Sequence, residues 1–355
     1  MNVSVIVPSY NPDEKLISTV RGLAEEGFED ILVVNDGSDD GHLEPFAAVK
    51  ELPQVTVIDH EVNRGKGRAM KSAFLFCMEN RKEIEGVVTV DGDGQHRPGD
   101  VRLCCEAMLA SAEKKCVVLG CRDFSRPDVP PRSRMGNNIT KAVFRFACGI
   151  RISDTQTGLR AIPASLLSFM TEVEGERYEY ETQMLLEMNK AGIPFEEVTI
   201  DTVYIEENAS SHFHPFRDSF KIYCVILKFV MNSLTSFVID IALFTLLEYV
   251  IGDRMTRLAM QATATVGARA VSSLYNYFAN RKGVFQADAP VRSSLPKYYA
   301  LCVGQMLVSL GLVYFFSGIL KTGKVLTALL KGLIDTALFL LSFQVQRRWV
   351  FAGKK

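Results

Sequence analysis

This chain contains no Cys-x-x-Cys pair, five histidines and a single tryptophan. Its eight cysteines, Cys77, Cys104, Cys105, Cys116, Cys121, Cys148, Cys224 and Cys302, show no paired spacing. A zinc framework and a disulfide scaffold are therefore excluded, and the thiols are expected to be reduced packing residues. No Gly-x-x-x-x-Gly-Lys-Ser/Thr loop occurs and no Gly-x-Gly-x-x-Gly follows the first apolar run, which removes the common ATPase and dinucleotide-binding readings. Net charge is also missing, with 40 basic against 41 acidic residues, so nothing points to nucleic acid. The N-terminus, Met1-Asn2-Val3-Ser4-Val5-Ile6-Val7-Pro8, enters a strand pattern without a basic leader, so the first domain is expected to stay in the cytoplasm.

What is present is unevenly distributed. From Lys228 onward there are 15 Lys and Arg against 5 Asp and Glu, which leaves 25 against 36 for the first 227 residues. The basic part holds four long apolar stretches, near 229–251, 258–277, 298–320 and 325–343. Each approaches the roughly 20 residues that a helix needs to cross a bilayer. The acidic part alternates short β-branched runs (3–7, 31–34, 55–58, 87–90, 117–120) with helical stretches (14–26, 42–50, 66–82, 99–112). Such alternation predicts an α/β domain with a Rossmann-like, mostly parallel sheet covered on both faces.

Polar clusters follow strand after strand: Ser9-Tyr10-Asn11, Asn35-Asp36-Gly37-Ser38-Asp39, Asn63-Arg64-Gly65-Lys66-Gly67 and Asp91-Gly92-Asp93. Right-handed crossovers bring these ends to one rim, where open α/β sheets bind ligands. Asp36 and Ser38 can bond a base or ribose, and Arg64 and Lys66 can offset phosphate charge. Asp91 and Asp93 repel each other unless a hard cation lies between them, and such a cation could bridge two phosphates. Together these groups suit a nucleoside diphosphate.

The stretches Val-Pro-Ser-Tyr-Asn (7–11), Val-Val-Asn-Asp-Gly-Ser-Asp-Asp (33–40), Asn-Arg-Gly-Lys-Gly (63–67) and Val-Asp-Gly-Asp-Gly-Gln-His (90–96) resemble the family 2 glycosyltransferases. The branch is that of dolichyl-phosphate mannose synthase and the polyprenyl-phosphate glucosyltransferases, and the likeness extends over about residues 1–225 through Gly120-Cys121-Arg122-Asp123, 131–137 and 154–160. The resemblance implies a GT-A type catalytic domain, with Mg2+ or Mn2+ on Asp91, Asp93 and Gln95. It also implies that Pro8, Tyr10, Asn11 and Asp36 frame the nucleotide, and that His212 and His214 lie on a segment closing over the diphosphate. The chain departs from the mannose synthases at Pro12, where they carry an acid, so the resemblance leaves GDP against UDP open.

An acceptor lipid phosphate is already anionic at pH 7 and needs cations rather than a general base. Arg122, Arg132, Arg134 and Arg160 are the candidates to position it, and the resemblance favours Arg122 and Arg132, which join Asp93 as the expected catalytic set. Glu179 and Glu181 either touch sugar hydroxyls or open a helix.

The domain boundaries are expected at 1–210 for the cytoplasmic catalytic domain, 211–227 for an amphipathic helix on the membrane surface, and 228–355 for an all-α transmembrane domain of four helices. The four apolar stretches repeat as two hairpins. Lys228-Phe229 opens the first stretch as Lys297-Tyr298 opens the third, and Asn280-Arg281-Lys282-Gly283-Val284-Phe285 closes the second as Gln346-Arg347-Arg348-Trp349-Val350-Phe351 closes the fourth. These features resemble the GtrA-like membrane family over about 225–352. Asp240, Arg269 and Asp335 lie within the apolar stretches, so Arg269 is expected to meet one of the two acids or a lipid phosphate.

The resulting expectation is a multi-pass, cell-membrane, metal-dependent, inverting enzyme with its catalytic domain and both termini cytoplasmic. It would move a sugar from a UDP-sugar (UDP-glucose by resemblance) or GDP-mannose to undecaprenyl or another polyprenyl phosphate for cell-envelope glycans, with a second copy of the chain as a further candidate partner. A sugar-lipid flippase with a nucleotide-sensing domain and a processive polysaccharide synthase are the rival readings. Gln344-Val345-Gln346-Arg347-Arg348-Trp349 does not match the spacing of the synthases' Gln-x-x-Arg-Trp motif.

Overall fold

The computed structural model describes residues 1–355 except 112, 114, 128, 202–219, 252–255, 286, 288, 321–323 and 353–355. For 132, 147, 220–226, 258, 317, 318, 320, 324, 325 and 328 it describes the main chain only. The chain divides into two compact units, Met1–Phe220 and Lys221–Lys355.

The first unit is built on a seven-stranded sheet of β1 (Val3–Ser9), β2 (Ile31–Asn35), β3 (Val55–Asp59), β4 (Gly86–Thr89), β5 (Val117–Arg122), β6 (Arg160–Pro163) and β7 (Phe195–Ile200), in the order 3-2-1-4-6-5-7. The sheet is parallel except for β6, which runs antiparallel to both β4 and β5. Helices α1 (Lys15–Glu25), α2 (Glu44–Lys50), α3 (Lys66–Asn80) and α4 (Pro98–Ala110) follow the first four strands, and α5 (Pro131–Val143), α6 (Leu167–Glu172) and α7 (Glu179–Ala191) complete the unit. β2 is buried along its whole length, as its continuous Ile-Leu-Val-Val run requires of a strand covered on both faces. Val5, Val7, Val33 and Val88 are fully buried in one core with Leu16, Val20, Val101 and Cys104 of α1 and α4. The order 3-2-1-4 means that the chain leaves β1 in one direction and returns on its other side with β4. The carboxyl ends of β1 and β4 thus form a topological switch point.

The second unit contains α8 (Phe220–Ile251), α9 (Arg257–Ala279), α10 (Val291–Leu320) and α11 (Lys324–Val345), with π-helical turns at Asn280–Val284 and Gln346–Val350. Three of these stretches are long and apolar enough to cross a membrane: Leu227–Ile251, Val291–Phe316 and Leu329–Val350. The expected span at 258–277 is a helix but does not reach that hydropathy among the described residues, because Gln261, Arg269, Ser272, Ser273 and Asn276 interrupt its apolar surface. Most of the expected surface helix at 211–227 lies outside the described residues.

Candidate active site

β1 ends at Ser9 and β4 at Thr89, and the loops beyond them open on a cavity of about 820 Å3 lined by residues from all four predicted polar clusters. Its floor carries Asp91, Asp93 and Gln95; Pro8, Tyr10, Asn11 and Asp36 form one wall, and Lys66, Arg122 and Glu181 close the other side. A volume in this range is ordinary for a small-molecule pocket, about 300–1,000 Å3.

Lys66 is the electrostatic centre. Its Nζ lies 2.6 Å from Asp91 Oδ1 and 2.9 Å from Glu181 Oε1, and only 16% of its side chain is exposed. Burial disfavours the ammonium, but Asp91 and Glu181 outweigh it and hold Lys66 above the usual lysine range. Burial likewise works against the Asp91 carboxylate, but the charges of Lys66 and His96 hold it well below the usual carboxylate range. Asp93 responds in the opposite sense: burial, and then the Asp91 charge, push its carboxyl up. Two carboxylates separated by one residue thus have opposed preferences, and the Asp93 side of the pair is short of positive charge.

That shortage is what a divalent cation would relieve, and the oxygens of Asp91, Asp93 and Gln95 are the hard donors that Mg2+ or Mn2+ prefers. Among the described residues no group of three or more His, Cys, Asp or Glu converges on a metal-sized space. Two carboxylates and an amide leave the coordination shell short, and phosphate oxygens of a bound nucleotide together with waters would complete it. Mn2+ affinity is accordingly expected to rise strongly when UDP or GDP is added; equal titration curves with and without nucleotide would count against this donor set.

Two glycines let the main chain approach these groups. A Cβ on Gly158 would stand 2.4 Å from Asp91 Oδ2. Gly65 has φ +99° and a Cβ there would stand 2.5 Å from the carbonyl oxygen of Glu176. Gly158→Ala is expected to displace Asp91 and cut turnover about a hundredfold, as misplacement near a reacting centre does. Steady-state rates of folded variant and wild type check it.

The expected contact residues have different surroundings. Asp36 lines the cavity but is 2% exposed, and its carboxylate accepts hydrogen bonds from the main-chain N–H of Arg64 (3.0 Å) and Gly65 (2.7 Å) while pairing with His60 Nδ1 at 2.7 Å. It anchors the loop that presents Lys66. Ser38 accepts from the Asn11 N–H at 2.9 Å and shapes the β1 loop without lining the cavity. The exposed Arg64 side chain is also outside the lining. Glu179 accepts from the N–H groups of Glu176 and Arg177, the helix-opening role, whereas Glu181 faces the cavity.

Among the arginines, Arg122 lines the cavity and is clamped by Asp154: its Nε donates to Oδ2 at 2.7 Å and its Nη2 to Oδ1 at 3.2 Å. Arg134 donates to the carbonyls of Phe124 and Arg126 and is not part of the lining. Arg160 is 1% exposed, with Nε on Thr157 O and Nη1 on Glu181 O, so a lipid phosphate cannot reach it. Arg160→Leu is expected to lower stability by about 2–3 kcal/mol through the orphaned carbonyls. Denaturant unfolding measures that loss, and an unchanged acceptor KM separates it from a binding role. His212 and His214 lie outside the described residues, as does the side chain of Arg132.

The sequence reading missed His60, Asp154, Gln156, Gly158 and the 176–178 turn. Gln156, Gly158, Arg177 and Tyr178 line the cavity. Asp154, Gln156 and Gly158 belong to the stretch Asp-Thr-Gln-Thr-Gly-Leu-Arg, but which of its members face inward depends on the antiparallel insertion of β6 between β4 and β5.

Comparison with known proteins agrees with this division. Residues 4–168 match the Glycosyl transferase family 2 profile, and residues 228–351 match the GtrA/DPMS transmembrane domain. An uncharacterized protein of Methanocaldococcus jannaschii is 30% identical over 59% of this chain and 84% of its own length. The UDP-N-acetylglucosamine–dolichyl-phosphate N-acetylglucosaminyltransferase of Methanococcus voltae is 27% identical over 58% of this chain and 86% of its own. The undecaprenyl-phosphate mannosyltransferase of Micrococcus luteus is 28% identical over 57% and 84%.

Proposed function

We propose that this chain, which belongs to glycosyl transferase family 2 and carries a GtrA/DPMS transmembrane domain, transfers a sugar from a nucleoside diphosphate donor to the phosphate of a polyprenyl lipid at the cytoplasmic membrane face. The observation that carries the reading is the meeting of Asp91, Asp93, Lys66 and Arg122 around one cavity at the sheet's switch point. Two of the similar proteins act on dolichyl and undecaprenyl phosphate, and three helices of this chain can cross a membrane.

Asp91, Asp93 and Gln95 would hold Mg2+ or Mn2+, which supplies charge neutralisation to the departing diphosphate. Tyr10, 49% exposed at the cavity edge, offers its ring to the base. Lys66, held above its usual range, stays cationic and adds positive charge beside the diphosphate. Arg122, oriented by the buried Asp154, presents a guanidinium to the same cavity, where an incoming phosphate oxygen would approach the anomeric carbon. The phosphate is anionic, so no side chain has to remove a proton. Attack opposite the leaving group inverts the anomeric centre. Glu181 is the acid available to a sugar hydroxyl, and its bond to Lys66 fixes its position.

The assignment of Arg122 is tested with Arg122→Lys and Arg122→Gln in steady-state transfer to a short polyprenyl phosphate. Both variants should raise the acceptor KM far more than the donor KM. Equal effects on the two substrates would remove Arg122 from the acceptor side.

A further inference from the structure

One buried carboxylate closes the loop after β3 at both of its ends. The loop runs from His60 to Gly65 and leads directly into Lys66, the first residue of α3. At its entry His60 Nδ1 lies 2.7 Å from Asp36 Oδ1. At its exit the Arg64 N–H donates to the same oxygen at 3.0 Å, and the Gly65 N–H donates to Oδ2 at 2.7 Å. The side chains of His60 and Asp36 are 9% and 3% exposed, whereas Glu61 and Val62, between the two ends, are exposed. A carboxylate only accepts, so Nδ1 carries the proton of its bond, and Nε2 of the neutral ring accepts from Ser72 Oγ at 2.9 Å. Ser72 lies on α3, so the imidazole ties the entry of the loop to the helix that its exit opens.

The main chain places this ring without help from its side chain. β2 and β3 pair in parallel with Asn35 opposite Asp59, and the His60 N–H donates to Asn35 O at 2.9 Å. The sheet itself therefore sets residue 60 beside residue 36, and a substitution at 60 leaves that register in place. What the imidazole adds is a buried hydrogen bond to a charged acceptor, stronger and more directional than one between neutral groups. It fixes the rotation of the Asp36 carboxylate. Without it Oδ1 keeps one of its two donors, the carboxylate is free to turn, and the N–H groups of 64 and 65 lose a fixed partner. Lys66, the next residue, then shifts against Asp91 and Glu181.

Carboxylate, imidazole and hydroxyl in this order also describe an activated serine nucleophile. Ser72 is not part of the cavity lining, however, and a nucleophile must reach its substrate. The ring acts through Asp36 instead. We propose that His60 is a positioning residue for the donor, its imidazole holding the Asp36 carboxylate in the orientation that sets Lys66 beside the diphosphate. This inference rests on the donor role proposed above for Lys66. Arg122 is held separately by Asp154, so the acceptor side is expected to stay unaffected.

Two substitutions separate the two bonds of the ring. Asparagine puts an amide N–H where Nδ1 stands and keeps the bond to Asp36, whereas glutamine reaches the position of Nε2 and keeps only the bond to Ser72. Calorimetric titration of UDP and GDP with Mn2+ into the full chain, followed by steady-state transfer, compares wild type, His60→Asn and His60→Gln. His60→Gln is expected to bind the nucleoside diphosphate about tenfold more weakly, the scale of one lost hydrogen bond to a charged group. Its donor KM should rise to match while the acceptor KM stays unchanged, and His60→Asn should recover most of the affinity. Equal losses in both variants, or a matching rise in acceptor KM, would mark a merely structural histidine and overturn the inference. Wild-type affinity in His60→Gln would overturn it as well, and wild type that binds neither nucleotide would overturn the donor reading of the whole site. Should His60→Gln fail to fold, Ser72→Ala removes only the outer anchor of the ring. Weaker diphosphate binding with an intact acceptor KM then supports the inference, and wild-type binding overturns it.

Discussion

Asp93→Asn is expected to lower sugar transfer about a thousandfold, the scale at which a group that stabilises developing charge is lost, and at the same time to raise the melting temperature of the metal-free protein. Asp93 is pushed up by burial and by the Asp91 charge, so ionising it in the folded state is disfavoured. The sign follows from linkage. A carboxyl whose folded value lies above its unfolded value of about 3.9 destabilises the native state once it ionises, and that cost disappears as pH falls below the unfolded value. Asparagine removes the charge and with it the cost. Mn2+ should stabilise the wild type and leave the variant nearly unchanged, so calorimetric scans with and without Mn2+ should converge or cross. A variant that melts lower than wild type without metal, or that retains its turnover, would contradict the role given to Asp93.

Lys66→Met should be the most destabilising change at the site. It leaves Asp91 and Glu181 facing each other without the ammonium between them, and breaking a buried pair in this way costs about 3–5 kcal/mol. For a unit of this size that is a fall of roughly 10 °C in melting temperature. Lys66 is held above its usual range, so its contribution is complete below about pH 10 and is lost only as pH rises further. Asp91 is held below its usual range, so its contribution is complete above about pH 4 and fades as pH falls. Across the neutral window both apply in full. Added Mn2+ should recover part of the loss, because a divalent ion supplies Asp91 with the charge the lysine gave. Thermal scans across pH, with and without Mn2+, check all three statements. A pH-independent loss of under a degree would mean that the ion pairs contribute little.

The fold was legible where local pattern and tertiary role coincide. Val87-Val88-Thr89-Val90 reads as a buried strand that must end at Asp91-Gly92-Asp93, and β4 covers Gly86–Thr89 with the aspartates in the loop beyond it. Alternating strands and helices gave the mostly parallel sheet in the same way. β6 was less accessible, because Arg160-Ala161-Ile162-Pro163 is too short to announce itself and its antiparallel pairing follows from a crossover that no local pattern encodes.

The site divides along the same line. Residues directly after β1 and β4 reach the cavity as expected, since strand ends place them there. Arg160 does not, because alternation along a strand turns it inward, where Thr157 and Glu181 carbonyls receive it. Asp36 lines the cavity, and its bonds to main-chain N–H groups 28 and 29 residues away are a relation visible only in three dimensions. In the second unit the sequence left Asp240, Asp335 and a lipid phosphate open as partners of Arg269, and the fold pairs it with Asp240.

The most direct test of the account is transfer of radiolabelled sugar by the purified full chain, from a panel of UDP- and GDP-sugars to undecaprenyl phosphate, with Mn2+, with a chelator, and with the uncharged polyprenol as control acceptor. The account predicts labelled lipid from at least one donor, dependent on Mn2+ and on the acceptor phosphate. Folded protein that binds nucleotide yet labels neither lipid, or labels the uncharged polyprenol equally well, would contradict it.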